Sequence, residues 1–241
     1  MKVIISETEA AVTRGAEGLG IELPCGASAA FASYYELLGK RGKDVNLTSI
    51  SGEEDVARLH FLDSIALLNV YDLKNTRVID VGSGAGFPGV PLKLAEPSID
   101  LTLLDATGKR VAFLSELCKK LEIDAVCLHA RAEESAQIED MRERFDAALS
   151  RAVARLNILC ELCLPFVRVG GVFIAMKGVD SADEIAEAGG AIAALGAQLQ
   201  GCADYIIPGT DITHRAVLIR KTSKTPGKYP RRFARIQKDP L

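Results

Sequence analysis

Val78-Ile-Asp-Val-Gly-Ser-Gly-Ala-Gly-Phe-Pro-Gly89 is a short apolar run that ends in alternating glycines. A strand that breaks into a glycine loop and then a helix is the first unit of an open α/β sheet, where ligands bind beyond the carboxyl ends of the strands. Working outward, apolar runs of strand length recur at Arg77–Val81, Asp100–Asp105, Ala125–His129, Phe145–Leu149 and Val172–Met176, with helical segments between them and another over Asp183–Leu195. Such alternation predicts a doubly wound, mostly parallel sheet covered on both faces. Two further runs, Tyr205–Ile207 and Ala216–Arg220, flank Pro208-Gly-Thr-Asp211. That linker is too short for a helical crossover, so these strands are expected to form an antiparallel hairpin.

Upstream of Asn75 the pattern is helical. Phe31, Tyr34, Tyr35, Leu37 and Leu38 approximate one apolar face, with Ser28 as a candidate N-cap, and Gly39–Ser49 reads as turn-rich. Ser51-Gly-Glu-Glu54 has capping-box spacing and is expected to open a helix through His60, Phe61, Leu62 and Ile65. The expected organisation is an N-terminal helical cap over 1–74, the α/β domain over 75–222 and a basic C-terminal tail over 223–241.

Composition narrows the class. No run approaches the roughly 20 apolar residues needed to span a bilayer, and Met1–Glu7 lacks signal-peptide character. The 6 cysteines are irregularly spaced, which suits a reducing, cytoplasmic compartment. Cys160 and Cys163 have CxxC spacing, but they sit in a helical apolar pattern without a second pair, so they read as core residues and no metal is expected. The net charge of −3 is unevenly divided: Arg220–Leu241 holds 8 Lys or Arg and one acid, leaving −10 for the rest. A basic edge on an acidic body suits a polyanionic partner.

The loop itself discriminates between cofactors. Phe87 stands where a dinucleotide fingerprint needs its third glycine after Gly82 and Gly84, and no Lys-Ser or Lys-Thr follows as a P-loop requires. Asp80 would repel a pyrophosphate but suits a cofactor with a cationic amino group and a sulfonium. Asp105 ends the next strand, where a carboxylate accepts hydrogen bonds from ribose hydroxyls. Together these features select S-adenosylmethionine. A seven-stranded sheet with a terminal antiparallel hairpin is likewise the Rossmann-like arrangement of class I methyltransferases rather than of nicotinamide dehydrogenases.

The chain resembles the RsmG (GidB) family of bacterial small-subunit (16S) rRNA guanine-N7 methyltransferases. The resemblance rests on Asn46-Leu-Thr48, His60-Phe-Leu-Asp-Ser64, Val81-Gly-Ser-Gly-Ala-Gly-Phe-Pro-Gly-Val-Pro91, Leu104-Asp-Ala-Thr-Gly-Lys-Arg110, Arg131-Ala-Glu133, Ser150-Arg-Ala152, Met176-Lys-Gly178 and Tyr229-Pro-Arg-Arg232, in that order. It implies that Gly82 and Phe87 contact the cofactor, that Asp105, Ala106 and Thr107 surround its ribose and adenine, that Ala132 and Glu133 flank the adenine, and that Arg151 lies by the methionine portion. It also implies 16S ribosomal RNA, naked or within a small-subunit particle, as the partner.

Guanine N7 carries an in-plane lone pair, so its methylation needs alignment rather than proton removal. The sequence agrees: no Asn-Pro-Pro-Tyr or Asp-Pro-Pro-Tyr segment follows the fourth strand, and the only Pro-Cys, Pro24-Cys25, precedes the α/β domain. No catalytic residue is therefore assigned. Lys109, Arg110 and Lys177 are candidates for meeting phosphates, and His60 and Asp63, at i and i+3, read as a local helix pair or as part of a guanine pocket. In the tail, Lys228, Arg231, Arg232 and Arg235 are expected to hold the RNA backbone, with Tyr229 or Phe233 stacking on an unpaired base. The alternatives are a methyltransferase acting on another RNA, a protein or a small molecule, and a non-catalytic RNA-binding protein that keeps the fold.

Overall fold

The computed structural model describes residues 5–45, 47–48 and 50–241. Asn46 and Ser49, which figure in the sequence reading, lie outside them. Two helices, α1 (Glu7–Gly18) and α2 (Ala27–Val45), open the chain, followed by α3 (Glu53–Val56), a π-helical segment (Ala57–Leu62) and α4 (Asp63–Ile65). The α/β part runs β1 (Arg77–Val81), α5 (Gly89–Ala95), β2 (Asp100–Asp105), α6 (Gly108–Lys120), β3 (Ala125–His129), α7 (Ala132–Ser135), β4 (Phe145–Arg151), α8 (Leu156–Cys163), β5 (Val167–Gly178), α9 (Ala182–Glu187), α10 (Gly189–Ala194), β6 (Ala197–Ile206) and β7 (Thr213–Lys221). A last helix, α11 (Phe233–Lys238), ends the tail.

The seven strands are ordered β3-β2-β1-β4-β5-β7-β6. β1 to β5 are parallel, and β7 runs antiparallel to both β5 and β6. This is the predicted doubly wound sheet with its terminal hairpin. The order reverses between β1 and β4, so the loops after those two strands frame the ligand crevice. Period-2 alternation distributes the strand residues between two cores. Val78, Leu149, Val172 and Ile174 enter the first, shared with the N-terminal helices through Phe31, Tyr34 and Phe61. Ile79, Val81, Ala148, Phe173 and Ala175 enter the second, under α8 and α10, where Cys160 and Cys163 also pack.

Several local expectations are corrected. α2 continues through Gly39 to Val45, because its buried face of Phe31, Tyr34, Leu37 and Leu38 docks on the first core and carries the helix past the glycine. It begins at Ala27, so Ser28 lies inside it rather than capping it. α3 starts at Glu53 after Gly52, which has a positive φ and offers no side-chain cap. The Glu53 carboxylate instead accepts the backbone N–H and hydroxyl of Thr8 on α1. β6 and β7 extend beyond the predicted apolar cores because the antiparallel ladder supplies partners there, whereas β5 gains its first residues beside β4, where Val167 pairs Phe145.

The tail folds back on the second core, where Tyr229 and Ile236 are buried. Arg142 donates to the carbonyls of Thr225, Pro226 and Tyr229, and the fully buried Glu161 accepts from the backbone and guanidinium of Arg231. Arg231 is therefore committed through Nε and Nη2 to holding the tail down rather than free to grip phosphate. Tyr229, buried under Lys228 and Arg231, is closed to a stacking base. Lys228 and Arg232 remain exposed.

Candidate functional site

At the reversal of strand order lies a cavity of about 870 Å³, lined by Gly82, Ser83, Gly84 and Phe87 after β1, Asp105, Ala106 and Thr107 after β2, Arg151, Ala152 and Val153 after β4, and Thr48 and His60 from the N-terminal region. The volume lies within the range of small-molecule sites, roughly 300–1,000 Å³. Seven of the ten residues that the sequence assigns to the cofactor thus meet: Gly82, Gly84, Phe87, Asp105, Ala106, Thr107 and Arg151.

Backbone geometry explains the glycines. The N–H groups of Gly82 and Ser83 donate to Leu104 O at 2.8 and 3.1 Å, which turns the chain sharply off β1. Gly82 has φ +76°, and a Cβ there would stand 2.6 Å from Val153 Cγ2. Gly86, at φ +103°, is needed for packing instead, since a Cβ would meet Tyr34 Oη at 2.5 Å. Asp105 closes the loop by accepting Gly84 N–H at 3.0 Å and Thr107 N–H at 2.8 Å, and Arg110 approaches within 3.7 Å. Both carboxylate oxygens retain acceptor capacity.

Three selected residues lie off this wall. Asp80 is fully buried beneath the loop, on the Val78 side of β1, with Oδ2 accepting Gly89 N–H at 2.9 Å and Oδ1 without a partner among the described residues. Burial pushes its carboxyl up to about 7, against the opposing pull of the Gly89 hydrogen bond and of Arg151. An orphaned carboxylate oxygen under the glycine loop fits a cofactor that brings positive charge. Ala132 and Glu133 open α7, one strand further out; Glu133 is held by Arg131 at 3.0 Å and lines a neighbouring cleft with Gln137 and Phe233.

The N-terminal wall is more organised than the sequence suggests. His60 and Asp63 do not pair with each other; both converge on Arg151. Arg151 Nη1 donates to Asp63 Oδ2 at 2.9 Å and Nη2 to His60 Nδ1 at 2.7 Å. The intervening π-helical turn, a local form that recurs at functional sites, brings both side chains inward. Because Arg151 only donates, His60 Nδ1 accepts, and Nε2–H is left to bond Thr48 Oγ1 at 2.7 Å. The His60 ring stacks on Phe87 with centroids 4.4 Å apart. Buried Asp63 also meets Tyr205 Oη at 3.0 Å and His214 Nδ1 at 2.8 Å. Tyr205 and His214 were missed in the sequence; their only signal is that they sit opposite one another across the β6–β7 hairpin. Lys177 is tied to Ala154 O and Glu184 and so is not a free phosphate ligand. Lys109 is exposed.

Burial, and then Arg151, lower the His60 pKa to about 3. Between about 3 and its ordinary value near 6.5, the unfolded state alone takes up the proton, so acidification through this window destabilises the fold. Asp80 acts in the opposite sense. Its folded value of about 7 lies above the ordinary 3.8, so stability from Asp80 is present at low pH and is lost as pH rises towards 7. Asp80→Asn removes only the second effect. Urea unfolding at pH about 7 and about 5 is expected to show the variant losing more stability on acidification than the wild-type protein; equal losses would contradict the assignment.

Asp105→Ala is expected to weaken S-adenosylmethionine binding by about 1 to 3 kcal/mol, through loss of buried acceptors and of the bonds ordering Gly84 and Thr107. Titration calorimetry showing unchanged affinity would exclude that role.

Comparison with known proteins follows the same lines. The family described as GidB, rRNA small subunit methyltransferase G, matches residues 27–205. A ribosomal RNA small subunit methyltransferase G from Alkaliphilus oremlandii (strain OhILAs) is 45% identical over 229 residues, covering 94% of this chain and 96% of that protein. The protein of the same name from Clostridium tetani (strain Massachusetts / E88) is 43% identical over 214 residues, covering 88% and 90%. Among solved structures, M. jannaschii TYW2 in complex with AdoMet superposes with a TM-score of 0.54 at 13% identity, over 73% of this chain and 78% of that one. At that identity the likeness is one of fold.

Proposed function

The chain belongs to the rRNA small subunit methyltransferase G family, and from that premise we propose that it methylates N7 of a guanine in 16S ribosomal RNA, using S-adenosylmethionine. The observation that carries this reading is a cofactor-sized cavity on the glycine loop whose wall, His60 and Arg151, is shared with a second opening beside it. Two substrates can then meet at one partition.

Gly82, Gly84 and Phe87, with Arg151, are assigned to the methionine portion. Asp105, Ala106 and Thr107 are assigned to the ribose and adenine, with Ala132 and Glu133 flanking the adenine from α7. Asp80 supplies buried negative charge from below. When bound, S-adenosylmethionine would supply an electrophilic methyl group to the N7 lone pair, with its sulfur as the leaving group. No proton moves, so no side chain is required as a base. The protein's contribution is alignment at roughly 3 to 3.5 Å and exclusion of water. From the N-terminal part Ile50, Leu59, His60 and Asp63 wall the base side, 75–222 hold the cofactor, and 223–241 brace the sheet while offering Lys228 and Arg232 to phosphate. No described helix is long and apolar enough to cross a membrane, and 16S ribosomal RNA in the cytoplasm, naked or within a small-subunit particle, is the substrate this reading implies.

Purified protein is expected to transfer radiolabelled methyl to small subunits lacking the mark, and nuclease digestion with mass spectrometry is expected to identify 7-methylguanine. Label on an exocyclic amine or a pyrimidine carbon would refute the proposal, and the same assay on naked 16S RNA decides which form is the substrate.

A further inference from the structure

The second cavity, about 390 Å³, is lined by His60, Asp63, Arg151, Met176, Lys177 and His214, among others. Nearly every polar side chain on its wall is already committed. Arg151 bonds Asp63, His60 and Leu59 O; Lys177 bonds Ala154 O and Glu184; His60 bonds Thr48 and Arg151. His214 is the exception. Its side chain is 32% exposed, its Nδ1 lies 2.8 Å from Asp63 Oδ1, and its Nε2 has no hydrogen-bond partner among the described residues.

The wall dictates which His214 nitrogen carries the proton. Asp63 is fully buried and already receives the Arg151 guanidinium. Burial beside Asp63 pushes the Tyr205 hydroxyl up, so Tyr205 keeps its proton and donates to the same carboxylate. A carboxylate surrounded in this way only accepts, so the His214 Nδ1 carries hydrogen and donates to it. With Nδ1 donating, the unprotonated Nε2 of the neutral tautomer would present its lone pair to the cavity. Tyr205 holds the ring edge-on at 6.3 Å between centroids, which fixes the direction of that lone pair.

A purine whose N7 points at the methyl donor must turn its pairing edge elsewhere. On that edge guanine offers N1–H as a donor, whereas adenine N1 carries a lone pair. We propose that this cavity receives the target base and that His214 Nε2 accepts a hydrogen bond from guanine N1–H, making His214 the residue that distinguishes guanine from adenine. Adenine in the same pose would set one lone pair against another and leave both buried and unpaired. Sites built around such a hydrogen bond reject the analogue that lacks it far more strongly than an apolar pocket rejects a misfit. Asp63 is the positioning residue behind it, holding His214, Tyr205 and Arg151 in one geometry.

This proposal rests on the methyl-transfer reading above, and the experiment separates the two. Target-site RNA in small subunits would carry guanine, hypoxanthine (which keeps N1–H but lacks the 2-amine) or 2-aminopurine (which keeps the amine but lacks N1–H). The wild-type protein is expected to use guanine and hypoxanthine with similar kcat/KM and 2-aminopurine far less well. In His214→Ala and His214→Phe, the latter keeping the ring against Tyr205, the preference for guanine over 2-aminopurine is expected to fall by about tenfold to a hundredfold, as one buried hydrogen bond predicts. S-adenosylmethionine affinity by calorimetry verifies that each variant is folded. Comparing the ratio across proteins cancels the difference in intrinsic N7 reactivity between the two bases. A variant that binds cofactor and keeps the wild-type ratio overturns the role of His214. A wild-type protein that uses 2-aminopurine as well as guanine overturns it without any variant. A wild-type protein that methylates no RNA overturns the underlying reading instead.

Discussion

Gly82→Val is expected to abolish S-adenosylmethionine binding and methyl transfer together. Gly82 occupies the left-handed region at φ +76°, where a branched side chain is strained by roughly 1–2 kcal/mol. More decisively, the new Cβ would stand 2.6 Å from Val153 Cγ2 and 3.4 Å from Cγ1, so the valine must displace the loop after β4 or fill the cavity. Relief by a backbone shift is opposed by the two hydrogen bonds that pin Gly82 and Ser83 to Leu104 O. Val153 is 43% exposed and Ala152 already holds a positive φ of 57°, so what yields is this loop, and Arg151 leads directly into it. Calorimetric titration should give no measurable heat while unfolding remains a single transition. Affinity within a few-fold of wild type would mean that the cofactor does not use this loop.

Arg231→Ala is expected to produce the largest loss of stability of any single tail substitution, about 3–5 kcal/mol. Glu161 is fully buried, and its carboxylate accepts the Arg231 backbone N–H at 2.8 Å, Nε at 2.9 Å and Nη2 at 2.6 Å. Truncation leaves that charge in the second core with a single backbone donor. For a chain of this size each kcal/mol corresponds to roughly 2–4 °C, so a drop in Tm of about 6–20 °C should be visible in thermal melts. Replacing both partners with Met should recover much of the loss, because the desolvation penalty goes with the pair. The exposed Arg232 behaves oppositely. Arg232→Ala should leave the melt unchanged and make the salt dependence of RNA binding shallower by about 0.7 to 0.9 per lost contact. A Tm for Arg231→Ala within a degree or two of wild type would show that the tail does not depend on Glu161.

The strand-and-loop grammar of the α/β part was legible because it is local. Parallel strands buried on both faces carry consecutive apolar residues, as Val78-Ile79 in β1, Leu103-Leu104 in β2 and Ala147-Ala148-Leu149 in β4 do, and a glycine loop at the first strand end is written in consecutive residues. The cavity wall that holds Gly82, Gly84, Phe87, Asp105, Ala106 and Thr107 was readable for the same reason. Elements that draw their stability from packing were less so. Gly39 reads as a stop, yet α2 runs through it because its apolar face is docked.

By itself the sequence determined the fold class, the cofactor type and the family, since each is carried by short motifs whose order along the chain is the information. Only the tertiary structure decided how the charged groups are used. Asp63 meets Tyr205 and His214 across 142 and 151 residues, Arg151 reaches His60 across 91, and Arg231 reaches Glu161 across 70. A charge in sequence has no environment; whether it is a free phosphate ligand or a buried clamp depends on desolvation and on partners brought in by the fold. That is why Lys177, Arg231 and Tyr229 read as candidates for RNA and turned out to be structural, while His214 carried no signal until Asp63 was set behind it.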